Sequence, residues 1–340
     1  MSNEVGVGIL GLGGIGLTHA RALRELAPDL RLRAFSGGSP ARAAEAGWPE
    51  AVQVEPDELA GAPGVDVVAV CSPSQQHADQ ALAALGASKH VVVEKPLALQ
   101  VSEADRIVAL ASERGAVAAV ISQRRLEPEY AALHQALRTG ALGRIRLATT
   151  HVHWWRDEDY YRAAPWRTEM AGGGGSLMNQ GVHNVDLLRW LCGPVAEVTA
   201  QYGTLAHEMD AEDTTVATLR FASGALGMIS TSTATPPGSP ATVTLHTDRG
   251  VVELGQGEVL RWEVEGVPAP SAGSGIASGA ADPKAIGIAG HVQQWQDVLT
   301  AIRTGADPAV SAADGAETVR LLCAVYQAAE TGRSINPEEL

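Results

Sequence analysis

The chain has 340 residues, 45% of them apolar and 19% charged, which is ordinary globular composition and enough length for two domains. Its formal net charge of -14 favours solubility and works against nucleic acid or an anionic membrane as a partner, because both need clustered Lys and Arg. No run approaches the roughly 20 apolar residues of a membrane-spanning helix.

The cysteines indicate the compartment. Cys71, Cys192 and Cys323 lie far apart, without CxxC spacing and in apolar surroundings. This predicts reduced core residues and neither disulfides nor a metal site. The N-terminus has no basic region before a continuous apolar stretch, as a signal peptide would. We therefore expect a cytoplasmic protein.

The first part of the chain alternates short apolar strands with helices. Strands are predicted at 5–10, 30–35, 66–71, 90–93 and 117–122, and helices at 18–26, 41–46, 77–86 and 102–114. Continuous apolar strands separated by helices are typical of a parallel sheet that is covered on both faces. We predict an α/β, doubly wound dinucleotide-binding domain of the Rossmann type over residues 1–125.

After residue 125 the pattern changes to strands joined by short turns. A helix is predicted at 128–139, and strands at 144–154, 196–202, 214–221, 225–233, 241–247 and 250–254. Such turns favour antiparallel pairing. We predict an α+β substrate domain over 126–340 with a large, mostly antiparallel sheet. A loop rich in Gly, Ala, Ser and Pro is expected at 266–289, followed by two helices that pack back on the first domain.

The glycines at 11, 13 and 16 have the G-x-G-x-x-G spacing between the first strand and the first helix. Glycine lets the backbone turn tightly and approach a pyrophosphate, whose charge lies at the helix N-terminus. A purely structural turn is the alternative, but the flanking strand and helix favour a dinucleotide site. The predicted cofactor-binding residues are Gly11, Gly13, Gly14, Ile15, Gly16, Ser36, Ser72, Pro73, Glu94, Lys95 and Gln123.

The end of the second strand bears on the choice between NAD and NADP. An Asp or Glu there would bind the adenosine ribose and repel a 2′-phosphate, but the segment reads Ser36-Gly37-Gly38. Ser36, Ser39 and Arg42 could contact a 2′-phosphate, although Arg42 could equally be a solvated helix cation. The cofactor is NAD or NADP, and the glycine at 37 favours NADP.

Lys95 is the first catalytic candidate. It follows the strand at 90–93, so it emerges at the same sheet edge as the glycine turn. Pro96 fixes the backbone after it, which suits an ammonium that must be held in one place. A lone surface lysine would carry little weight, and its position is what singles it out. His77 is expected to pack at a helix start.

The second candidate site is a helix predicted to begin at Ser176, its N-cap, and to stop at Gly193-Pro194. On this helix Asn179, His183 and Asp186 lie at i, i+4 and i+7 and form one polar face. A buried histidine bonded to its helix neighbours is the alternative to a catalytic one. A metal is not expected, since asparagine is a poor transition-metal ligand and no second His or Cys has suitable spacing.

Aromatic and arginine side chains crowd the segment 154–167 in a chain with only 4% aromatic residues. Aromatic faces beside guanidinium groups suit a sugar ring or an anionic substituent such as a carboxylate or phosphate. Packing inside the domain is the alternative. The predicted substrate-binding residues are Lys95, Trp155, Arg156, Tyr161, Trp166, Arg167, Asn179 and His183.

Three motifs together resemble one family. The turn at 11–16, Glu94-Lys95-Pro96 and the glycine-rich entry to the Asn179–His183 segment are similar to the glucose-fructose oxidoreductase, inositol dehydrogenase and MocA-like (Gfo/Idh/MocA) family. The resemblance covers essentially the whole chain. It implies a Rossmann domain and an open-faced sheet domain through which subunits pair as homodimers or homotetramers.

The same resemblance implies hydride transfer between NAD(P) and a secondary alcohol or ketone of a sugar, a sugar derivative or a cyclitol. Lys95 and His183 are then the catalytic pair, with either one as the proton-transfer group and with a cis bond expected before Pro96. Many members carry an acidic residue four positions before the histidine, where this chain has Asn179. Similar asparagines occur in members resembling nucleotide-sugar 3-dehydrogenases.

Two other functions share this fold. One is a non-catalytic dinucleotide-binding regulator, which the presence of both Lys95 and His183 in matching context disfavours. The other is a dihydrodiol-type dehydrogenase, whose substrate requires a more apolar pocket than the aromatic and arginine residues of 154–167 would form. Fold alone does not separate these functions.

Overall fold

The structure is a computed structural model that describes residues 4–270 and 287–340. The predicted loop at 266–289 therefore lies largely outside the described residues. The chain forms two compact units. The first is Met1–Gln123 with Ile288–Val319, and the second is Arg124–Gly287 with Arg320–Leu340. The first unit thus takes a segment from near the C-terminus.

The first unit contains a six-stranded parallel sheet. Its strands are β1 Val5–Leu10, β2 Leu30–Ser36, β3 Val52–Gln53, β4 Val67–Val70, β5 His90–Val93 and β6 Ala118–Val120. Their order across the sheet is β3-β2-β1-β4-β5-β6. β1, β4 and β5 read as near-continuous apolar runs and are buried along almost their whole length, as a sheet covered on both faces requires. The predicted Rossmann architecture is confirmed.

Helices follow the strands of this unit. They are α1 Gly14–Glu25, α2 Pro40–Glu45, α3 His77–Gly86, α4 Val101–Arg114, α8 Ala289–Thr304 and the first part of α9 Ala312–Thr331. α1 buries His19, Ala20 and Leu23, and α8 buries Trp295 in the same core. A capping box between Gln100 and Glu103 starts α4. None of the described helices combines the length and apolar character needed to cross a lipid bilayer.

The second unit is built on a seven-stranded sheet. Its strands are β7 Ile145–His153, β8 Val195–Gly203, β9 Thr214–Phe221, β10 Leu226–Ser232, β11 Thr242–Thr247, β12 Gly250–Leu254 and β13 Val259–Val264, in the order β13-β12-β11-β7-β10-β9-β8. Every pair is antiparallel except β7 with β10. The predicted mostly antiparallel sheet is confirmed. β13 was not predicted, because it is a largely exposed strand that carries Arg261 and Glu263.

The two faces of this sheet differ. Ala148, Val152 and Ile229 point to the covered face, where α7 Val182–Cys192 packs against β7. The remaining helices are α5 Pro128–Arg138 and the short α6 Glu158–Arg162. Leu147 and Leu226 alternate with these buried residues and are exposed on the other face. One face of the sheet is therefore open.

Candidate functional site

The predicted cofactor residues lie at the carboxyl edge of the first sheet. Leu10 is in register with Ser36 on one side and with Val70 on the other. Val70 is in turn in register with Val93. The segments that follow these strands are the glycine turn after β1, Ser72-Pro73 after β4, Glu94-Lys95 after β5 and Gln123 after β6. The strand order reverses between β1 and β4, which is where open parallel sheets bind ligands.

The glycines of the turn have two different reasons to be glycine. A Cβ at Gly11, whose φ is +90°, would lie 2.8 Å from the carbonyl oxygen of Cys71. A Cβ at Gly16 would lie 2.2 Å from the carbonyl oxygen of Gly11, so both positions are fixed by chain packing. A Cβ at Gly13 or Gly14 would meet no described atom within 4 Å. These two residues present bare backbone to open space.

The start of α1 fits an anionic group in that space. Among the described residues it has neither a side-chain cap nor an acidic residue in its first turn. Its first N–H groups and the positive end of its dipole suit a pyrophosphate. Ile15, 38% exposed, lies directly beside this position. The residues present therefore fit a dinucleotide.

The segment after β2 brings a cation to the glycine turn. Ser39 caps α2, since its hydroxyl oxygen accepts from the backbone N–H of Arg42. The guanidinium of Arg42 donates to the carbonyl oxygen of Leu12 at 3.4 Å. Ser36 is buried at the strand end. Arg42 is thus positioned beside the turn rather than being only a solvated helix cation.

Lys95 lies two residues beyond the end of β5 and is half-buried. The Lys95–Pro96 peptide bond is cis, as the resemblance implied. His77 begins α3, and its two ring nitrogens lie 2.7 Å from the carbonyl oxygen of Pro96 and 3.0 Å from that of Ser72. His77 therefore joins the segments that follow β4 and β5, which agrees with the packing role expected for it.

Glu94 directs its carboxylate into the unit. Its Oε2 accepts from the backbone N–H of Lys95 at 3.1 Å, and its Oε1 lies 3.0 Å from Nε2 of His19. Burial alone would raise the pKa of Glu94, but the imidazoles of His19 and His291 hold it well below its usual range. Both oxygens are engaged inside the unit, so this side chain gives no support to the cofactor contact predicted for Glu94.

In the second unit, the predicted α-helix from Ser176 needs correction. Ser176–Gly181 is a π-helix, and the α-helix begins only at Val182. Ser176 is not its cap, because its Oγ donates to Oε2 of the fully buried Glu212 at 2.6 Å. Glu212 also accepts from the backbone N–H groups of Ser176 and Leu177. This carboxylate fixes the first turn in its wider form.

The position of the Glu212 carboxylate also explains why a glycine precedes the π-helix. Gly175 has φ +97°, and a Cβ there would lie 2.4 Å from Oε1 of Glu212. Only glycine adopts this backbone without strain while the carboxylate lies so close. π-Helical turns occur frequently at functional sites.

The polar face predicted on this helix is also different. Asn179 lies in the π-helix and half-buried His183 in α7, so the regular i, i+4 spacing is interrupted between them. Asp186 is buried and accepts two hydrogen bonds from Arg125 at 2.8 and 2.5 Å. The three residues therefore do not share one face as an uninterrupted α-helix would place them.

Tyr160 joins the aromatic segment to the π-helix. Its hydroxyl oxygen accepts from Nε2 of Gln180 at 2.6 Å and from Nδ2 of Asn179 at 3.4 Å. The guanidinium of Arg167 lies 4.1 Å from the centre of the Tyr160 ring, and that of Arg156 lies 5.3 Å from it. Two cations therefore flank one ring that is bonded to the segment preceding His183.

The two arginines differ in their surroundings. Arg156 is buried between Trp154 and Gln180, and this burial lowers its pKa. Arg167 is half-buried, donates to the carbonyl oxygen of Tyr160 and forms no ion pair with any carboxylate of the described chain. A half-buried guanidinium without a carboxylate suits an anionic ligand. Arg167 is the stronger candidate for such a contact.

Other predicted substrate residues lie nearby with different roles. The hydroxyl of buried Tyr161 donates to Thr233 at 2.8 Å, and burial raises the pKa of Tyr161 to about 12. Trp155 pairs by its backbone with Ala234, and Trp166 is half-buried beside the Arg167 guanidinium. Tyr161 thus packs within the unit. Tyr160, and not Tyr161, lies beside the guanidinium groups of Arg156 and Arg167.

Two residues of this cluster, Gln180 and Glu212, were not predicted. Gln180 adjoins the predicted Asn179, and Tyr160 belongs to the aromatic segment 154–167, so the local composition already pointed to their neighbourhood. Glu212 lies 36 residues from Ser176 in sequence and carries no local pattern that would indicate the contact. Only the fold reveals it.

Comparison with known proteins agrees with this architecture. Residues 5–122 match the oxidoreductase family with an NAD-binding Rossmann fold, and residues 130–253 match the GFO/IDH/MocA C-terminal domain. The chain is 27% identical to myo-inositol 2-dehydrogenase of Thermotoga maritima, over 98% of this chain and 99% of that protein. It is 26% identical to scyllo-inositol 2-dehydrogenase (NAD(+)) of Bacillus subtilis, over 75% of each.

A solved structure is similar over the full length. The WlbA dehydrogenase of Bordetella pertussis, in complex with NADH and UDP-GlcNAcA, is 30% identical and superimposes with a TM-score of 0.87 over 98% of both chains. Family models for both domains and this relative together cover nearly the whole sequence. The chain therefore belongs to the GFO/IDH/MocA family of oxidoreductases, and its first unit is an NAD-binding Rossmann domain.

Proposed function

We propose that the protein is an NAD(P)-dependent dehydrogenase or reductase that acts on a secondary alcohol or ketone of a sugar, a sugar derivative or a cyclitol. The observation that carries the proposal is the position of Lys95 at the sheet edge that also bears the glycine turn. A catalytic cation at that edge lies where parallel sheets bind their ligands. The dehydrogenase relatives support the reaction class.

The cofactor would be bound by the residues at this edge. The backbone of Gly13, Gly14 and Ile15 would receive the pyrophosphate, with Ser72-Pro73, Lys95 and Gln123 along the remaining edge. When bound, NAD(P) supplies the hydride acceptor for oxidation or the donor for reduction. Either form is proposed to bind, because no acidic residue follows β2 and Arg42 lies beside the turn.

The chain itself must handle the hydroxyl proton and the charge on oxygen. We assign charge stabilisation to the ammonium of Lys95, and proton transfer to His183, whose ordinary pKa lies near neutrality. In oxidation His183 takes the hydroxyl proton, and in reduction it returns it. Asn179 cannot accept a proton in place of a carboxylate. Its amide instead donates to Tyr160, so its role is to hold the π-helix against the aromatic segment.

Among sugar derivatives, we propose a nucleotide sugar with an anionic group, oxidised at its 3-position. Arg167 supports this choice, because it is half-buried and pairs with no described carboxylate. The bidentate geometry of guanidinium suits a carboxylate or phosphate. The WlbA relative, bound to UDP-GlcNAcA, supports the same class.

The experiment that tests the function has two stages. Quenching of the intrinsic tryptophan fluorescence measures binding of NADH and NADPH. Absorbance of reduced nicotinamide then follows turnover across acidic nucleotide sugars, free sugars and inositols. Turnover of any of these polyols supports a dehydrogenase, whereas tight cofactor binding without turnover on the whole panel supports the non-catalytic regulator.

We also propose that the open face of the second sheet pairs subunits into a homodimer or homotetramer. Leu147 and Leu226 are in register on β7 and β10 and are 40% and 48% exposed. Adjacent exposed leucines on a sheet face are typical of a protein interface. Leu226→Glu should lower the mass measured by light scattering. Leu205→Glu is the matched control, since Leu205 is exposed outside the strands.

A further inference from the structure

Three buried side chains of the first unit form a chain of hydrogen bonds that ends on the backbone of Lys95. Oε2 of Glu94 accepts from the Lys95 N–H, and Oε1 of Glu94 lies 3.0 Å from Nε2 of His19. Nδ1 of His19 lies 3.0 Å from the indole Nε1 of Trp295. His19 and Trp295 are 0% and 1% exposed, so water does not compete for these bonds.

The indole fixes the direction of every bond in this chain. An indole N–H only donates, so Nδ1 of His19 must accept and carries no proton. The ring proton then sits on Nε2, which donates to Glu94. Burial lowers the pKa of His19, which agrees with a neutral ring. Glu94 thus receives one hydrogen bond from His19 and one from the backbone of Lys95.

A metal centre formed by His19, Glu94 and His291 is the alternative interpretation. His19, Glu94 and His291 present ligand atoms that all lie within 4.8 Å of one another. A metal-bound imidazole normally donates its second N–H to an outer partner. His19 cannot do so, because Trp295 itself donates to that nitrogen. Metal at Nε2 would require an imidazolate, so the cluster favours a proton-ordered network.

The network joins three separate elements. His19 lies on α1 just after the glycine turn, Trp295 lies on α8, and Glu94 follows β5. We infer that Glu94 is a positioning residue, whose carboxylate, oriented by His19 and Trp295, fixes the backbone of Lys95 and thereby the place of its ammonium. This inference rests on the catalytic role proposed for Lys95. It replaces the cofactor contact expected of Glu94 from the sequence.

Trp295→Phe tests the inference with little loss of packing. Without the indole N–H, Nδ1 of His19 loses its donor, and the imidazole is no longer held in the orientation that directs its Nε2–H at the Glu94 carboxylate. We expect kcat to fall roughly 10-fold, since small displacements of a reacting group are costly, while KM and the NADH Kd stay within about twofold. Glu94→Gln should lose more, because its amide has an NH2 group in place of one of the two accepting oxygens, so that one of the two donors meets another donor. Glu94→Asp, which keeps a carboxylate, should recover part of that loss.

Trp48→Phe is the matched control. Trp48 is also buried in the first unit, and its indole N–H donates to the carbonyl oxygen of Ala20 at 2.8 Å. This variant loses a similar hydrogen bond and should lower Tm comparably, yet retain kcat. Equal loss of kcat in both tryptophan variants, or none in Trp295→Phe, would overturn the inference. An active Lys95→Ala enzyme would instead refute the catalytic role of Lys95, and a wild type without turnover on the whole panel would refute the proposed function, so these failures are distinguishable.

Discussion

Both carboxylate oxygens of Asp186 accept hydrogen bonds from the guanidinium of Arg125, although Asp186 lies only one helical turn beyond His183. The side chains of this ion pair are 5% and 2% exposed. A carboxylate so engaged holds α7 to the segment that begins the second unit. It is therefore a structural group of the second unit.

Asp186→Asn should accordingly reduce stability far more than catalysis. Removing one member of a buried pair leaves the other charge uncompensated, which costs about 3–5 kcal/mol. Urea unfolding should show this loss, while kcat per folded molecule stays within a few-fold of wild type. Asp248→Asn is the control, because Asp248 pairs with Arg144 and Arg146 at the surface and should barely change Tm. A thousand-fold loss of kcat in folded Asp186→Asn would contradict this assignment.

Arg42 should distinguish the two cofactors. Its guanidinium lies beside the glycine turn, where a 2′-phosphate would follow the end of β2. Arg42→Ala should weaken NADPH binding roughly 10-fold and leave the Kd of NADH within twofold, since a charged hydrogen bond contributes about 1.5–3 kcal/mol. Arg21→Ala removes an exposed cation of α1 that pairs with Glu45 and serves as the control. Equal weakening of both cofactors would refute this role of Arg42.

Arg167 should determine the preference for anionic substrates. Arg167→Ala is expected to raise KM roughly 10- to 100-fold for a carboxylated nucleotide sugar and to leave a neutral polyol nearly unaffected. Arg162→Ala is the neighbouring control, because that exposed guanidinium pairs with Asp159. If Arg167→Ala raised KM by the same factor for charged and for neutral substrates, this arginine would not bind the anionic group.

Stability should fall as the pH drops below about 6.5. Burial lowers the pKa of His19 in the folded state, so the unfolded chain binds the proton first. The free energy of unfolding should then decrease by at most about 1.4 kcal/mol per pH unit from this residue, until the folded pKa is reached. Glu94 adds nothing in this range, because its folded pKa is well below its usual value and its contribution is lost only at lower pH.

Urea titrations between pH 7.5 and 5.5 measure this slope. His19→Asn, which cannot titrate, should show a weaker dependence than wild type. An unchanged slope in the variant would mean that other groups account for the loss.

The parts of the fold that were predictable are those with a local pattern. β9 Thr214–Phe221 matches its prediction because buried and exposed residues alternate along it without exception after Thr214. β13 was missed because neither of its faces is buried. The π-helix was missed because its cause is a carboxylate 36 residues away in sequence.

In the candidate site, too, the features with a local sequence pattern were predictable and those that depend on distant contacts were not. Glycine spacing and strand ends placed Gly11, Gly16 and Lys95 at one edge, since those features are local. Trp295 and His19 are 276 residues apart, and no pattern near either predicts that one donates to the other. Contacts of that separation depend on the packing of α8 against α1, which sequence periodicity does not specify.

Lys95→Ala, compared with Lys89→Ala, tests the catalytic role of Lys95. Lys89 directly precedes β5, where its ammonium donates to the carbonyl oxygen of Val65, so it flanks the same strand at the opposite edge of the sheet. On the substrate that wild type turns over, reduced-nicotinamide absorbance should show a loss of about 10²- to 10⁴-fold in Lys95→Ala, with a much smaller change in the NADH Kd and with Lys89→Ala fully active. Near-normal turnover in Lys95→Ala would show that its ammonium does not stabilise charge on the substrate oxygen.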